Sequence, residues 1–147
     1  IALVRHPGYR RPGLSRLPKL YLGAPQMLIW DFKRWLRLGG QGDWEVSKDS
    51  LAYVPRKQRQ TYVCGGTWMG LREPLGVMID ELANRTRRDL QRGVVAIWHD
   101  ESHLNWFASY HAHELLDSEK CYAEGLPNLE DLIPEIIAVE KGGNRTR

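Results

Sequence analysis

Apolar and polar positions alternate along this chain in two periods. Ile1-Ala2-Leu3-Val4 is apolar throughout and reads as a strand. Residues 50–55 and 61–64 read as two short strands joined by the polar Arg56-Lys57-Gln58-Arg59-Gln60. Val94-Val95-Ala96-Ile97 is a β-branched run that predicts a buried strand over 94–98, central in a sheet, and 136–139 predicts another. Between these the period lengthens. Leu75, Met78, Ile79, Leu82 and Leu90 trace a stripe over 74–92, with Pro74 suited to the start and Gly93 to the stop. Leu104, Phe107, Ala108 and His111 recur at helical spacing, predicting a helix to about Tyr110. A third helix is expected over 25–38. Gln26, Lys33, Arg34 and Arg37 fill one sector of it; Leu28, Ile29, Phe32, Trp35 and Leu36 lie opposite. Strands mixed with helices predict an α/β fold with a mixed central sheet flanked by helices.

At 147 residues the chain suits a single domain, 1–147. The sequence shows no secretory-signal pattern within its 147 residues and no apolar run among them long enough to span a bilayer. Cys64 and Cys121 have neither metal-ligand spacing nor the pattern of a disulfide framework. The net charge of +3 hides an asymmetry. Residues 1–60 hold twelve Lys/Arg against four Asp/Glu, and 61–147 hold nine against fourteen. A basic front half suits an anionic partner or a lipid surface, or is simply a solvated face. The basic amphipathic 25–38 segment either packs on the core or a partner, or lies at a membrane surface.

The chemistry concentrates at Trp98-His99-Asp100-Glu101-Ser102-His103-Leu104-Asn105, where the expected 94–98 strand gives way to a helix. Ligands bind at such junctions in open α/β sheets. Asp100 or Ser102 could equally serve as a helix cap. His99 and His103 are four apart, but a metalloprotease helix needs Glu directly after the first His, and here Asp100 intervenes. His6-Pro7-Gly8-Tyr9 forms a turn, with Pro7 holding His6 extended. Gly65-Gly66 is expected to end the 61–64 strand, either where a ligand or another backbone approaches closely or as a plain loop.

The eight residues from Trp98 to Asn105 resemble the signature of glycosyltransferase family six, which holds the histo-blood-group A and B transferases and the α1,3-galactosyltransferases. Three further segments match in order. They are His6-Pro7-Gly8-Tyr9, then Trp44-Glu45 with Ser50-Leu51-Ala52-Tyr53-Val54-Pro55, then Tyr62-Val63-Cys64-Gly65-Gly66 with Gly70 beyond. Residues 10–43 depart from the family pattern and read as a divergent insertion.

The resemblance implies the C-terminal, acceptor-side portion of a GT-A-type nucleotide-sugar transferase fold, from a microbial or divergent member of about twice this length. It implies a retaining hexosyltransferase that moves galactose or N-acetylgalactosamine from a UDP-sugar to a glycan or glycolipid acceptor in α1,3 linkage, with no nucleic-acid partner. Activity is then expected to need an upstream nucleotide-binding half. Glu101 takes the place of the catalytic carboxylate. Cys64, Gly65, Gly66 and Asp100 match donor-binding positions. Lys141 and Arg147 match the basic residues that grip the diphosphate. His6, Trp98 and His99 match the acceptor side. Glycine at 66 implies open space beside the sugar's C2 substituent, hence a preference for UDP-N-acetylgalactosamine. Any Mn2+ would be held by ligands outside this chain, and no metal ligand is assigned within it. A microbial member would be cytoplasmic or membrane-associated; an animal-like one would lie in the Golgi lumen. The competing reading is a non-catalytic fragment that binds a membrane or polyanion through 25–38.

Overall fold

The structure is a computed structural model and describes residues 1–9, 42–123 and 133–138. Its strands are β1 (Ala2–Arg5), β2 (Val63–Met69), β3 (Glu114–Leu116), β4 (Tyr122–Ala123) and β5 (Ile137–Ala138). Its α-helices are α1 (Arg72–Gln91) and α2 (His99–Tyr110). Short 3-10 turns occupy Pro7–Tyr9, Arg56–Gln58 and Ser118–Cys121. The main sheet is mixed, in the order β2-β1-β3, with β1 antiparallel to β2 and parallel to β3. The strands β4 and β5 form a separate parallel pair. The expected 25–38 helix and most of the 10–43 insertion lie outside the described residues, as does the basic tail.

The helices follow the 3.6-residue stripe closely. α1 starts two residues before Pro74, which therefore sits in the first turn, where its missing N–H is no loss. Gly93 follows the helix with φ +72°, the left-handed conformation that favours glycine after a helix end. Met78 of α1 is fully buried against Leu3 and Val63 from the sheet and against Leu104, Phe107 and Ala108 of α2. Leu75 and Leu82 border that cluster, whereas Ile79 and Leu90 of the same stripe are exposed. A second cluster joins Val4, Cys64 and Cys121, with Leu116 alongside. A third joins Trp44, Val54 and Tyr62, flanked by Tyr9 and Trp106.

Three strand expectations are corrected. Residues 94–98 are turn and loop, and Val95 and Ile97 stand 60% and 52% exposed. Their backbone donors are used elsewhere: Val94 N–H bonds back to the Asp89 carbonyl at 2.9 Å, and Ile97 N–H to Glu45 Oε2 at 2.7 Å. The central strand is instead β1. Residues 50–55 are also turn and loop. Buried Asp89 shapes them by accepting from Ser50 Oγ at 2.7 Å and from the Leu51 N–H at 2.9 Å. That carboxylate stands at the C-terminal end of α1, where the helix dipole disfavours it. Hydrogen bonds from Ser50, Leu51 and Arg92 outweigh the cost of burial and hold the Asp89 carboxyl below its usual range. Finally, Gly65 and Gly66 lie inside β2 rather than at its end.

Candidate functional site

Glu101 lies in the first turn of α2 and reaches across to β2. Its Oε2 accepts the Gly65 N–H at 2.8 Å, and its Oε1 accepts the Tyr62 hydroxyl at 3.0 Å. The first contact brings the backbone of residue 65 close against the Glu101 side chain. A Cβ on residue 65 would stand 3.2 Å from Glu101 Cβ and 3.3 Å from its Oε2. The close approach anticipated for this glycine is therefore to a side chain of the same chain.

Asn105, one helical turn beyond Glu101, fixes the two elements together. Its Nδ2 donates to the Val63 carbonyl at 2.8 Å and to the Glu101 carbonyl at 2.9 Å, and its Oδ1 accepts the Val63 N–H at 2.8 Å. The strand β2 is an edge of the sheet, and at Val63 the Asn105 amide takes the place of a neighbouring strand. Sequence reasoning assigned no role to Tyr62 or Asn105. The spacing of Asn105, four residues after Glu101, was the signal that the two share a helix face.

The entry to α2 is unusual. His99 has φ +46°, a left-handed conformation uncommon for a residue with a side chain. Ser102 is buried, and its Oγ accepts the Trp98 N–H at 3.0 Å. Neither of the two residues considered for capping is the N-cap, which is Trp98 and carries no side-chain cap bond; Ser102 braces that residue from inside the helix, while Asp100 is exposed. Glu45 braces the approach through its bond to Ile97 and holds the Ser47 N–H with its other oxygen, at 2.7 Å.

His6 follows β1 and faces the same aromatic group as Glu101. Its ring lies edge-on to Tyr62 with centroids 5.7 Å apart and sits 4.7 Å from the Tyr9 ring. Its backbone N–H donates to the Tyr62 carbonyl at 3.0 Å, and its Nδ1 accepts the Gly8 N–H at 3.1 Å. Burial pushes the His6 ring below its usual value, while the charges of Glu101 and Asp43 pull the other way. Tyr62 is buried among Trp44, Tyr9 and His6, with the Trp44 ring edge-on at 5.2 Å. Burial, and then the Glu101 charge, push its phenol well above the usual range, so the hydroxyl stays protonated and donates.

Cys64 and Cys121 are buried free thiols packed in one cluster beside β2. Cys64 donates to Cys121, which raises the Cys64 thiol and lowers that of Cys121; Thr67 adds a second hydrogen bond to Cys121. A Cβ on Gly66 would meet Cys121 Sγ at 3.2 Å. The open space expected beside Gly66 is therefore occupied on that side by Cys121.

The structure thus gathers His6, Cys64, Gly65 and Glu101 around one end of β2. Trp98 is 48% exposed at the entry to α2, next to exposed His99. Asp100 lines, with Gly65, an apolar groove of about 460 Å³ whose walls include Trp68, Ile79, Leu82 and Leu104. Lys141 and Arg147 lie outside the described residues. Among the described residues no group of three or more His, Cys, Asp or Glu is placed to hold a metal ion. No described helix is long and apolar enough to cross a membrane.

The Trp98–Asn105 run thus builds a strand-to-helix clamp around one carboxylate. The sequence profile of glycosyltransferase family 6 matches residues 41–146, and the chain belongs to that family. It is similar to histo-blood group ABO system transferase 1 of Rattus norvegicus, at 34% identity over 68 residues. That stretch covers 46% of this chain and 20% of the rat protein.

Proposed function

We propose that this chain is the acceptor-side part of a GT-A-type retaining glycosyltransferase. It moves galactose or N-acetylgalactosamine from a UDP-sugar to a glycan or glycolipid acceptor, forming an α1,3 linkage. The observation that carries the reading is the Glu101 carboxylate, held between the Tyr62 hydroxyl and the Gly65 N–H within a family-6 sequence.

As the sugar leaves its diphosphate, the anomeric carbon gains positive charge. An ionised carboxylate fixed beside it stabilises that charge, as a nucleophile or as an electrostatic partner. Glu101 does this here. His6 and Trp98, with His99 beside it, meet the acceptor, whose apolar CH face suits the exposed indole. Cys64, Gly65, Gly66 and Asp100 meet the donor sugar. Lys141 and Arg147 bind the diphosphate as charge-assisted donors. Any Mn2+ would be held by ligands outside this chain.

The test uses the full-length protein with UDP-galactose and UDP-N-acetylgalactosamine, each offered with a panel of galactose-terminated acceptors. Glu101→Gln is expected to lower kcat by about 100-fold or more while UDP binding is kept. Near-wild-type turnover in Glu101→Gln would assign the chemistry to another group.

A further inference from the structure

We propose that Tyr62 is a positioning residue that holds the Glu101 carboxylate in its reactive orientation and sets its place relative to His6. The proposal rests on the transferase reading above and extends it to a residue outside the donor and acceptor contacts.

Glu101 carries two oxygens, and among the described residues each has one donor. The Gly65 N–H is fixed by β2, so it anchors Oε2. The second donor, the Tyr62 hydroxyl, decides how the carboxylate plane is turned about that anchor. The hydroxyl has one proton and two acceptors in reach: Glu101 Oε1 at 3.0 Å and the Asp43 carbonyl at 3.4 Å. The shorter, charged acceptor takes it.

The ring cannot swing away. Trp44 and Tyr9 pack edge-on against it, at 5.2 and 5.1 Å, and Gly42 closes the remaining side. Gly42 has φ +126°, and a Cβ there would stand 2.5 Å from Tyr62 Cγ, so only glycine admits the ring. The same residue also fixes His6, through the Tyr62 carbonyl and through the ring edge. One side chain thus ties a group on the acceptor side to the carboxylate on the donor side. A structural role alone would need the ring; the positioning role needs the hydroxyl.

The experiment compares the full-length wild type with Tyr62→Phe, Glu101→Gln and the double variant, and with 3-fluorotyrosine placed at residue 62. Transfer from UDP-galactose and UDP-N-acetylgalactosamine is measured. Tyr62→Phe keeps the ring and is expected to lower kcat by about 10- to 100-fold with the donor KM unchanged. It should have no further effect in the Glu101→Gln background, because it acts through that carboxylate. 3-Fluorotyrosine keeps the donor and should retain kcat within about 3-fold of wild type. An equal loss in both backgrounds would show that Tyr62 serves packing alone and overturn the proposal. So would unchanged kcat in an active Tyr62→Phe enzyme, while a wild type that transfers neither sugar would overturn the transferase reading with it.

Discussion

Replacing Asn105 by alanine tests the join between strand and helix most directly. Asn105 is 1% exposed, and all three of its hydrogen bonds go to backbone groups. Truncation strips Val63 of partners for both its N–H and its carbonyl at a fully buried residue, and removes one bond from the Glu101 carbonyl. Each buried polar group left unpaired costs about 1–3 kcal/mol. With two such groups and a small cavity, the loss comes to about 3–5 kcal/mol. For a chain of this size that lowers the melting temperature by about 10 °C or more. Urea unfolding followed by circular dichroism and tryptophan fluorescence measures it. Asn105→Asp sharpens the test. It keeps an acceptor for Val63 N–H but sets a negative charge against two carbonyls, so at neutral pH it should be no more stable than Asn105→Ala. A loss below about 1 kcal/mol for Asn105→Ala would refute the reasoning, because it would mean that water replaces the amide at no cost.

Two other perturbations probe the same site. Gly65→Ala crowds Glu101 at 3.2 Å and should reduce transfer by about 10-fold or more through a displaced carboxylate, with the chain still folded by circular dichroism. Full activity in that variant would show that β2 yields easily. The second concerns pH. Burial holds His103 below its usual 6.5, against the pull of Asp89, whose Oδ2 lies 3.6 Å from Nε2, and His6 is lowered in the same way. The unfolded chain takes up protons near that value and the folded rings refuse them. Stability should therefore fall as the pH drops below about 6.5, and His103→Gln should flatten the decline in urea midpoints. The Asp89 contribution is lost only lower, as the pH falls through a folded value below 3.8. An unchanged slope in His103→Gln would remove His103 from this account.

Both helices were legible in the sequence because their stripes and end signals are local. Pro74, Gly93 and the spacing of Leu75, Met78 and Leu82 lie within one element, so no distant partner has to be known. The β-branched run at 94–98 misled for the opposite reason. Its fate is decided by Glu45, 52 residues earlier, whose carboxylate takes the Ile97 N–H that a strand would have shared with a neighbour. Residues 50–52 turn because Asp89, on another element, gathers the donors of Ser50 and Leu51. Glu101 was found through the family-like run around it, since neither its spacing nor its surroundings in sequence single it out from Asp100. Tyr62 and Asn105 carry ordinary strand and helix patterns. Their importance arises only when β2 and α2 meet.

The place of β1 in the sheet has a consequence for how the molecule assembles. Leu3 pairs with Trp68 on one side and with Leu115 on the other, so the middle strand of three finds its partners more than sixty and more than a hundred residues away. Loops of that length must close before any ladder hydrogen bond forms to β1. Contacts so distant in sequence slow folding. The α1–α2 pair, by contrast, is joined by a short connection and can form early. Until residue 116 has left the ribosome, Leu3 and Val4 have no complete sheet to enter and stay available to chaperones or to wrong partners. Slow refolding from denaturant, with β1 the last strand protected from hydrogen exchange, is the kinetic signature this topology imposes.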